Sequence, residues 1–153
     1  MSWDTHPTDM GLLHRPMSKY IWSDQDLAKL KQLILERDKI VIFPHTGPDG
    51  DALGSTLAWA GLLRSAHPEA SVHVISPDPI EDYLAWLPSL DELVIFPQEE
   101  ERSLQLIAEA NLIFHLDHNQ ISRLRYPRLV EAATSSQAHR VLIDHHLDPE
   151  EGF

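Results

Sequence analysis

The chain has 153 residues and 42% hydrophobic content, which suits one domain with a packed core. Its formal net charge is -12, from 24 acidic and 12 basic residues, which argues against strong non-specific binding to duplex nucleic acid. A phosphate substrate stays open, because bound cations supply positive charge locally. The absence of cysteine excludes disulfides, zinc-thiolate sites and thiol catalysis, and no apolar stretch approaches the ~20 residues of a membrane span.

Residues 1 to about 20 carry Pro7, Gly11 and Pro16 without periodicity and read as an N-terminal arm preceding a domain over 21–153. Asp4 and Asp9, with no continuous apolar core, exclude a signal peptide, and the expected location is cytoplasmic. Ser23 caps a predicted helix through about Arg37, with Leu27, Leu30, Leu33 and Ile34 on one face. Lys39 to Phe43 is a β-branched apolar run, a predicted buried strand. A helix from Ala52 to about Ser65 follows a Gly/Pro/Asp loop, and Val72 to Ile75 is a second strand. Leu84 to Leu87 reads as a helical turn and Leu93 to Phe96 as a third strand. The acidic run Glu99-Glu100-Glu101 opens a helix reaching Ala110. Leu112 to Asp117 is a fourth strand, Gln120 to Leu124 and Arg128 to Thr134 are helical, and Val141 to Ile143 is a fifth strand. This alternation predicts an α/β fold: a doubly wound, mainly parallel five-stranded sheet with helices on both faces.

Three of these strands run out into metal-ligand residue types. The first leads to His45, Asp49 and Asp51, the fourth ends in Asp117, and the fifth ends in Asp144, His145 and His146. In a parallel sheet all C-terminal ends lie on one edge, so carboxylates from neighbouring strands converge there. Unpaired, they would repel or take up protons, and divalent cations of the manganese, iron, cobalt or zinc group relieve this. Pro48 fixes the first loop, Gly50 is expected to let two aspartates sit close, and Gly54 to allow close approach of the helix.

Each loop alone has an ordinary reading. Pro-Asp-Gly-Asp is a common turn, Asp-His-His is compatible with a helix cap beside surface histidines, and Asp117 with a capped turn. A calcium loop fails, because its fifth position would be Leu53 and its twelfth Ala60, where a bidentate Glu is needed. His73, His115, His118 and His139 read as structural or surface residues. Neither a phosphate loop, a dinucleotide fingerprint nor a serine nucleophile elbow is present.

Together these motifs resemble the DHH phosphoesterases, whose triplet stands here as Asp144-His145-His146. The first motif of that family, His-x-x-Pro-Asp-x-Asp-Ala-x-Gly-Ser, is matched without a gap by His45 to Ser55. The second, an Asp ending an apolar strand and followed by Asn and Ser-Arg-Leu, is matched by Asp117 to Leu124. This version is most similar to the nano-RNase and pAp-phosphatase branch, and the resemblance spans about residues 23 to 148. It implies two divalent ions, usually manganese: His45 and Asp49 on one, Asp51 and His145 on the other, Asp117 bridging both. His146 would contact the scissile phosphate and Asp144 would orient the histidine pair from behind the ligands. Catalysis would fall to Asp117, His145 and His146, through attack by a metal-bridging hydroxide. Arg123 is expected to pack or form a salt bridge within its own loop.

Short oligonucleotides and 3′-phosphoadenosine 5′-phosphate are the implied substrates, with cyclic dinucleotides or pyrophosphate as alternatives and neither duplex nucleic acid nor membrane as partner. Oligomeric state stays open, a homodimer included. Members of the family continue past the triplet with a further metal-binding Asp and a second domain bearing a glycine-rich, His-containing loop. This chain stops at Gly152-Phe153, so the expectation is a truncated catalytic domain. The competing expectation is a catalytically incomplete metal-binding fragment.

Overall fold

Five runs of β-branched and aromatic residues form one sheet in the computed structural model, which describes residues 23–153; the N-terminal arm expected over residues 1 to about 20 lies outside the described residues. The strands are β1 (Lys39–Phe43), β2 (Ser71–Ser76), β3 (Val94–Ile95), β4 (Leu112–Leu116) and β5 (His139–Ile143). Their order is β3-β2-β1-β4-β5 and every pairing is parallel. Central strands buried on both faces need apolar residues at odd and even positions alike, which β1 and β4 supply. Ile40, Ile42, Leu112 and Phe114 face one layer, and Val41, Phe43 and Ile113 face the other.

Four α-helices among the described residues cover the sheet: α1 (Asp24–Leu35), α2 (Gly50–Ala66), α3 (Glu100–Glu109) and α4 (Pro127–Ser135). Leu30, Leu33 and Ile34 of α1 and Leu53, Ala60 and Leu63 of α2 pack on the first face. Ile107 of α3 and Leu129 and Ala133 of α4 pack on the second. The doubly wound α/β arrangement therefore follows the alternation of strands and helices in the sequence. No helix among the described residues is long and apolar enough to cross a membrane.

Several boundaries differ from the sequence expectation, each for a local reason. Helix α1 ends at Leu35; at its start the Ser23 hydroxyl accepts from the Asp26 N–H while the Asp26 carboxylate accepts from the Ser23 N–H and hydroxyl. Helix α2 begins at Gly50, earlier than Ala52, because Asp49 caps it. Strand β3 keeps only two residues at the sheet edge. Strand β5 begins at His139, where it pairs with Leu112. The turn expected over Leu84 to Leu87 is a 3-10 turn at Asp82–Leu84, and the segment before α4 is a 3-10 turn at Ile121–Leu124.

The topology decides where chemistry can gather. From β1 the chain builds outward through β2 and β3, then returns to place β4 and β5 on the other side of β1. The C-terminal ends of β1 and β4 thus flank the point where strand order reverses, the place where open α/β sheets leave a crevice.

Behind that crevice lie two buried histidines. His118 Nδ1 donates to the Leu116 carbonyl at 2.9 Å, so its Nε2 accepts from His115 Nδ1 at 2.9 Å. Burial holds both rings neutral, pushing His118 down to about 4 and His115 well below the ordinary histidine range. In the unfolded chain both titrate near 6.5. The unfolded state therefore binds more protons below that value, and the stability these rings contribute is lost as pH falls from about 6.5 toward 4. The unfolding free energy of chelated protein should drop by up to about 1.4 kcal/mol per pH unit for each ring between pH 6 and 5. A flat profile in urea denaturation across that interval would show the rings already charged in the folded state.

Candidate metal centre

The loop after β1 is shaped by two residues before its carboxylates appear. Gly47 adopts φ +57, a left-handed conformation that favours glycine, and Pro48 is buried beneath the turn. Asp49 then caps α2, its Oδ1 accepting from the Asp51 and Ala52 N–H groups at 3.0 Å each. The Ala52 N–H bond leads the effects that hold the Asp49 carboxyl below its ordinary range, so it is an anion at neutral pH. Asp51 follows in the first turn of α2, exposed.

His45 is buried, and its Nδ1 lies 2.7 Å from the Thr46 carbonyl. A carbonyl only accepts, so Nδ1 carries the proton and Nε2 of the neutral ring is a lone pair. That nitrogen faces Asp117 Oδ2 at 3.6 Å, two acceptors too far apart for a direct hydrogen bond.

Asp117 ends β4 with φ 58, a left-handed conformation that few residues other than glycine adopt and that Asp tolerates. Its N–H donates to the Ile143 carbonyl at 3.1 Å, which ties the strained residue to β5. Its two carboxylate oxygens meet different rings: Oδ2 faces His45, and Oδ1 lies 3.1 Å from His145 Nε2. Burial, then the charge of Asp51, raises its pKa above the ordinary range.

After β5, the nearly buried Asp144 carboxylate grips His146, accepting from its Nδ1 at 2.7 Å and from its N–H at 3.1 Å. That bond favours the charged ring and raises the His146 pKa. His145 also reaches Asp51, Nε2 to Oδ2 at 3.7 Å. The loop itself is clamped from below: Asn119 Nδ2 donates to the Leu147 carbonyl at 2.7 Å, and the Glu150 N–H donates to the Asn119 carbonyl at 2.8 Å.

The structure thus brings His45, Asp49, Asp51, Asp117, Asp144, His145 and His146 to one edge. Two groups there could each hold a cation: His45, Asp49 and Asp117, and Asp117, Asp144, His145 and His146. The donor set fits divalent metal, because lone pairs of His45 and Asp117 converge without a proton donor between them and Asp117 belongs to both groups. Asp51 stands outside both groups but touches the second through His145.

Other expected roles need correction. Gly50 has no left-handed φ, and a Cβ there would meet Leu84 only at an ordinary 3.8 Å; a Cβ at Gly54 would meet nothing within 4 Å. Neither glycine is required by close approach; the conformational demand falls on Gly47 instead. Arg123 is exposed and forms no ion pair among the described residues, while its carbonyl accepts from the Thr46 N–H at 2.8 Å. Its loop is tied by backbone, not by a salt bridge. His73 bonds Ser71 within β2, and His139 lies 3.0 Å from the Arg37 guanidinium at the start of β5, so neither joins the centre.

One residue of this edge escaped the sequence reading. Asp78 follows β2, and its carboxylate accepts from the Thr46 hydroxyl, the Gly47 N–H at 2.8 Å and the Tyr126 hydroxyl at 3.1 Å. The available signal is Ser76-Pro77-Asp78, an acid just beyond an apolar strand, as after β1, β4 and β5.

Comparison with known proteins agrees with this architecture. Residues 39–152 match the DHH family, N-terminal domain. The bifunctional oligoribonuclease and PAP phosphatase NrnA of Mycoplasma pneumoniae is 32% identical over 101 residues, covering 62% of this chain and 29% of that protein. The cyclic-di-AMP phosphodiesterase GdpP of Geobacillus thermodenitrificans is 31% identical over 125 residues, covering 80% of this chain and 18% of that protein. A crystal structure of an exopolyphosphatase-related protein from Bacteroides fragilis has a TM-score of 0.79 at 32% identity, covering 86% of this chain and 38% of the other. The chain therefore spans less than a third of the length of these curated relatives.

Proposed function

This chain belongs to the DHH family, and on that premise we propose that it is the catalytic domain of a metal-dependent phosphoesterase acting on short oligonucleotides and 3′-phosphoadenosine 5′-phosphate. The observation that carries the proposal is the meeting of two cation-competent groups at Asp117. Two divalent ions held there, manganese by expectation, would supply Lewis-acid polarisation of the phosphate and a nucleophile at neutral pH.

The chain's own residues divide the remaining work. His45 and Asp49 would hold one ion and His145, with Asp51 beside it, the other, with Asp117 common to both groups. Asp144 fixes the Nδ1 proton of His146 and raises its pKa, which leaves Nε2 as the ring atom to donate to a phosphoryl oxygen of the substrate. With a net charge of -12, the domain offers long polyanions little attraction away from this centre, consistent with a preference for substrates of a few phosphates.

A second reading rests on the GdpP match, which covers more of this chain than the NrnA match and is named for cyclic-di-AMP hydrolysis. A dinucleotide, 3′-phosphoadenosine 5′-phosphate, cyclic di-AMP and pyrophosphate, each assayed in manganese and again in chelator, separate the two. The expected result is chelator-sensitive hydrolysis of the first two. Fastest turnover of cyclic di-AMP would favour the second reading. Manganese binding without turnover of any of them would leave the chain a metal-holding unit only.

A further inference from the structure

The peptide group between Thr46 and Gly47 is held at both ends. Its carbonyl accepts the Nδ1 proton of His45 at 2.7 Å, and its N–H donates to Asp78 at 2.8 Å. One carboxylate therefore reaches the ring of His45 through a single peptide plane, and Gly47 at φ +57 is the conformation that presents this plane. The rest of the Asp78 carboxylate is equally committed. Thr46 donates its hydroxyl, Tyr126 donates at 3.1 Å from the segment beyond β4, and the Arg125 guanidinium lies at 3.7 Å. The Asp78 backbone is fixed too, its carbonyl accepting from the Ser76 hydroxyl at 2.6 Å.

We propose that Asp78 is a positioning residue for the metal centre, acting through the Thr46–Gly47 peptide to fix the tautomer and orientation of His45. Hydrogen bonds in series polarise one another, so an anion on the N–H side makes the carbonyl a better acceptor and the far ring nitrogen a better donor of its lone pair. Metal-ligating histidines commonly donate their other N–H to a carboxylate or a backbone carbonyl; here both are used in line. Ordinary ionisation of Asp78 is favoured by the same three hydrogen bonds, which outweigh its partial burial and hold its pKa low. The proposal rests on the metal-centre reading above, but its structural half, the His45 tautomer, can be read without metal.

The test compares the wild-type protein with Asp78→Asn and Asp78→Ala, at a temperature where all are folded by circular dichroism. Manganese titration followed by electron paramagnetic resonance should show one bound ion weakened, about tenfold in Asp78→Asn and toward 100-fold in Asp78→Ala, with the other unchanged. Nitrogen-15 spectra of the metal-free protein should show His45 protonated at Nδ1 in the wild type and a tautomer mixture in Asp78→Ala. A merely destabilising loss would lower the melting temperature without moving either readout. Wild-type affinity in both variants would overturn the proposal, as would a wild-type His45 protonated at Nε2. A wild-type protein that binds no manganese would overturn the metal-centre reading instead, leaving the tautomer to decide the rest.

Discussion

Asp117→Asn is expected to abolish most hydrolysis while making the metal-free protein more stable. The residue belongs to both cation-competent groups, so replacing its carboxylate removes an anionic ligand from each at once. If the ions supply several kcal/mol of transition-state stabilisation, the loss is on the order of 10³-fold or more in rate. Stability should move the other way. Burial and the nearby charge of Asp51 push the Asp117 pKa up, so keeping it ionised at neutral pH costs the metal-free fold free energy. Asn has nearly the same volume and tolerates the left-handed backbone at φ 58. Turnover in manganese and the melting temperature in chelator check the two halves separately. Undiminished turnover would remove Asp117 from the centre, and a lower melting temperature would mean its charge is compensated without metal.

His145→Ala should separate function from stability more cleanly. Its side chain is 71% exposed; its polar contacts are with Asp51 and Asp117, and its ring meets that of His146 edge-on. Removing an exposed ring should leave unfolding free energy within about 0.5 kcal/mol of wild type. Removing a ligand should cost at least what losing a supporting partner does, about 100-fold in activity or metal affinity. His45→Ala is the informative contrast, because that ring is buried and hydrogen-bonded to the chain, so it should lose both activity and stability. Equal activity of His145→Ala and wild type would exclude His145 from the chemistry.

Much of this was legible in the sequence because it depends on local pattern. Continuous apolar runs such as Lys39–Phe43 signal strands buried on both faces, and their alternation with helices fixes parallel pairing. The acids and imidazoles beyond those strands then fall on one edge by topology alone. What local pattern misses is contact between distant loops. Asp78 meets Thr46 and Tyr126 only because β2 and β4 both flank β1, a fact of strand order and not of spacing. Likewise, the sequence leaves His115 and His118 as structural or surface residues without naming a partner, and the turn after β4 folds one onto the other out of solvent. Glycine was misread for a different reason. Gly50 and Gly54 suggested tight backbone, but Asp49 starts the helix early and both lie in ordinary helical turns, while Gly47 takes the left-handed conformation.

The central claim is that the edge formed by His45, Asp49, Asp51, Asp117 and His145 holds two divalent ions joined through Asp117. Counting manganese ions bound by the metal-free wild-type protein, beside Asp117→Asn, tests it most directly. Two ions on the wild type, and loss of tight binding at both positions in Asp117→Asn, is the predicted result. A single ion or none on the wild type, or two ions retained by Asp117→Asn, would contradict it.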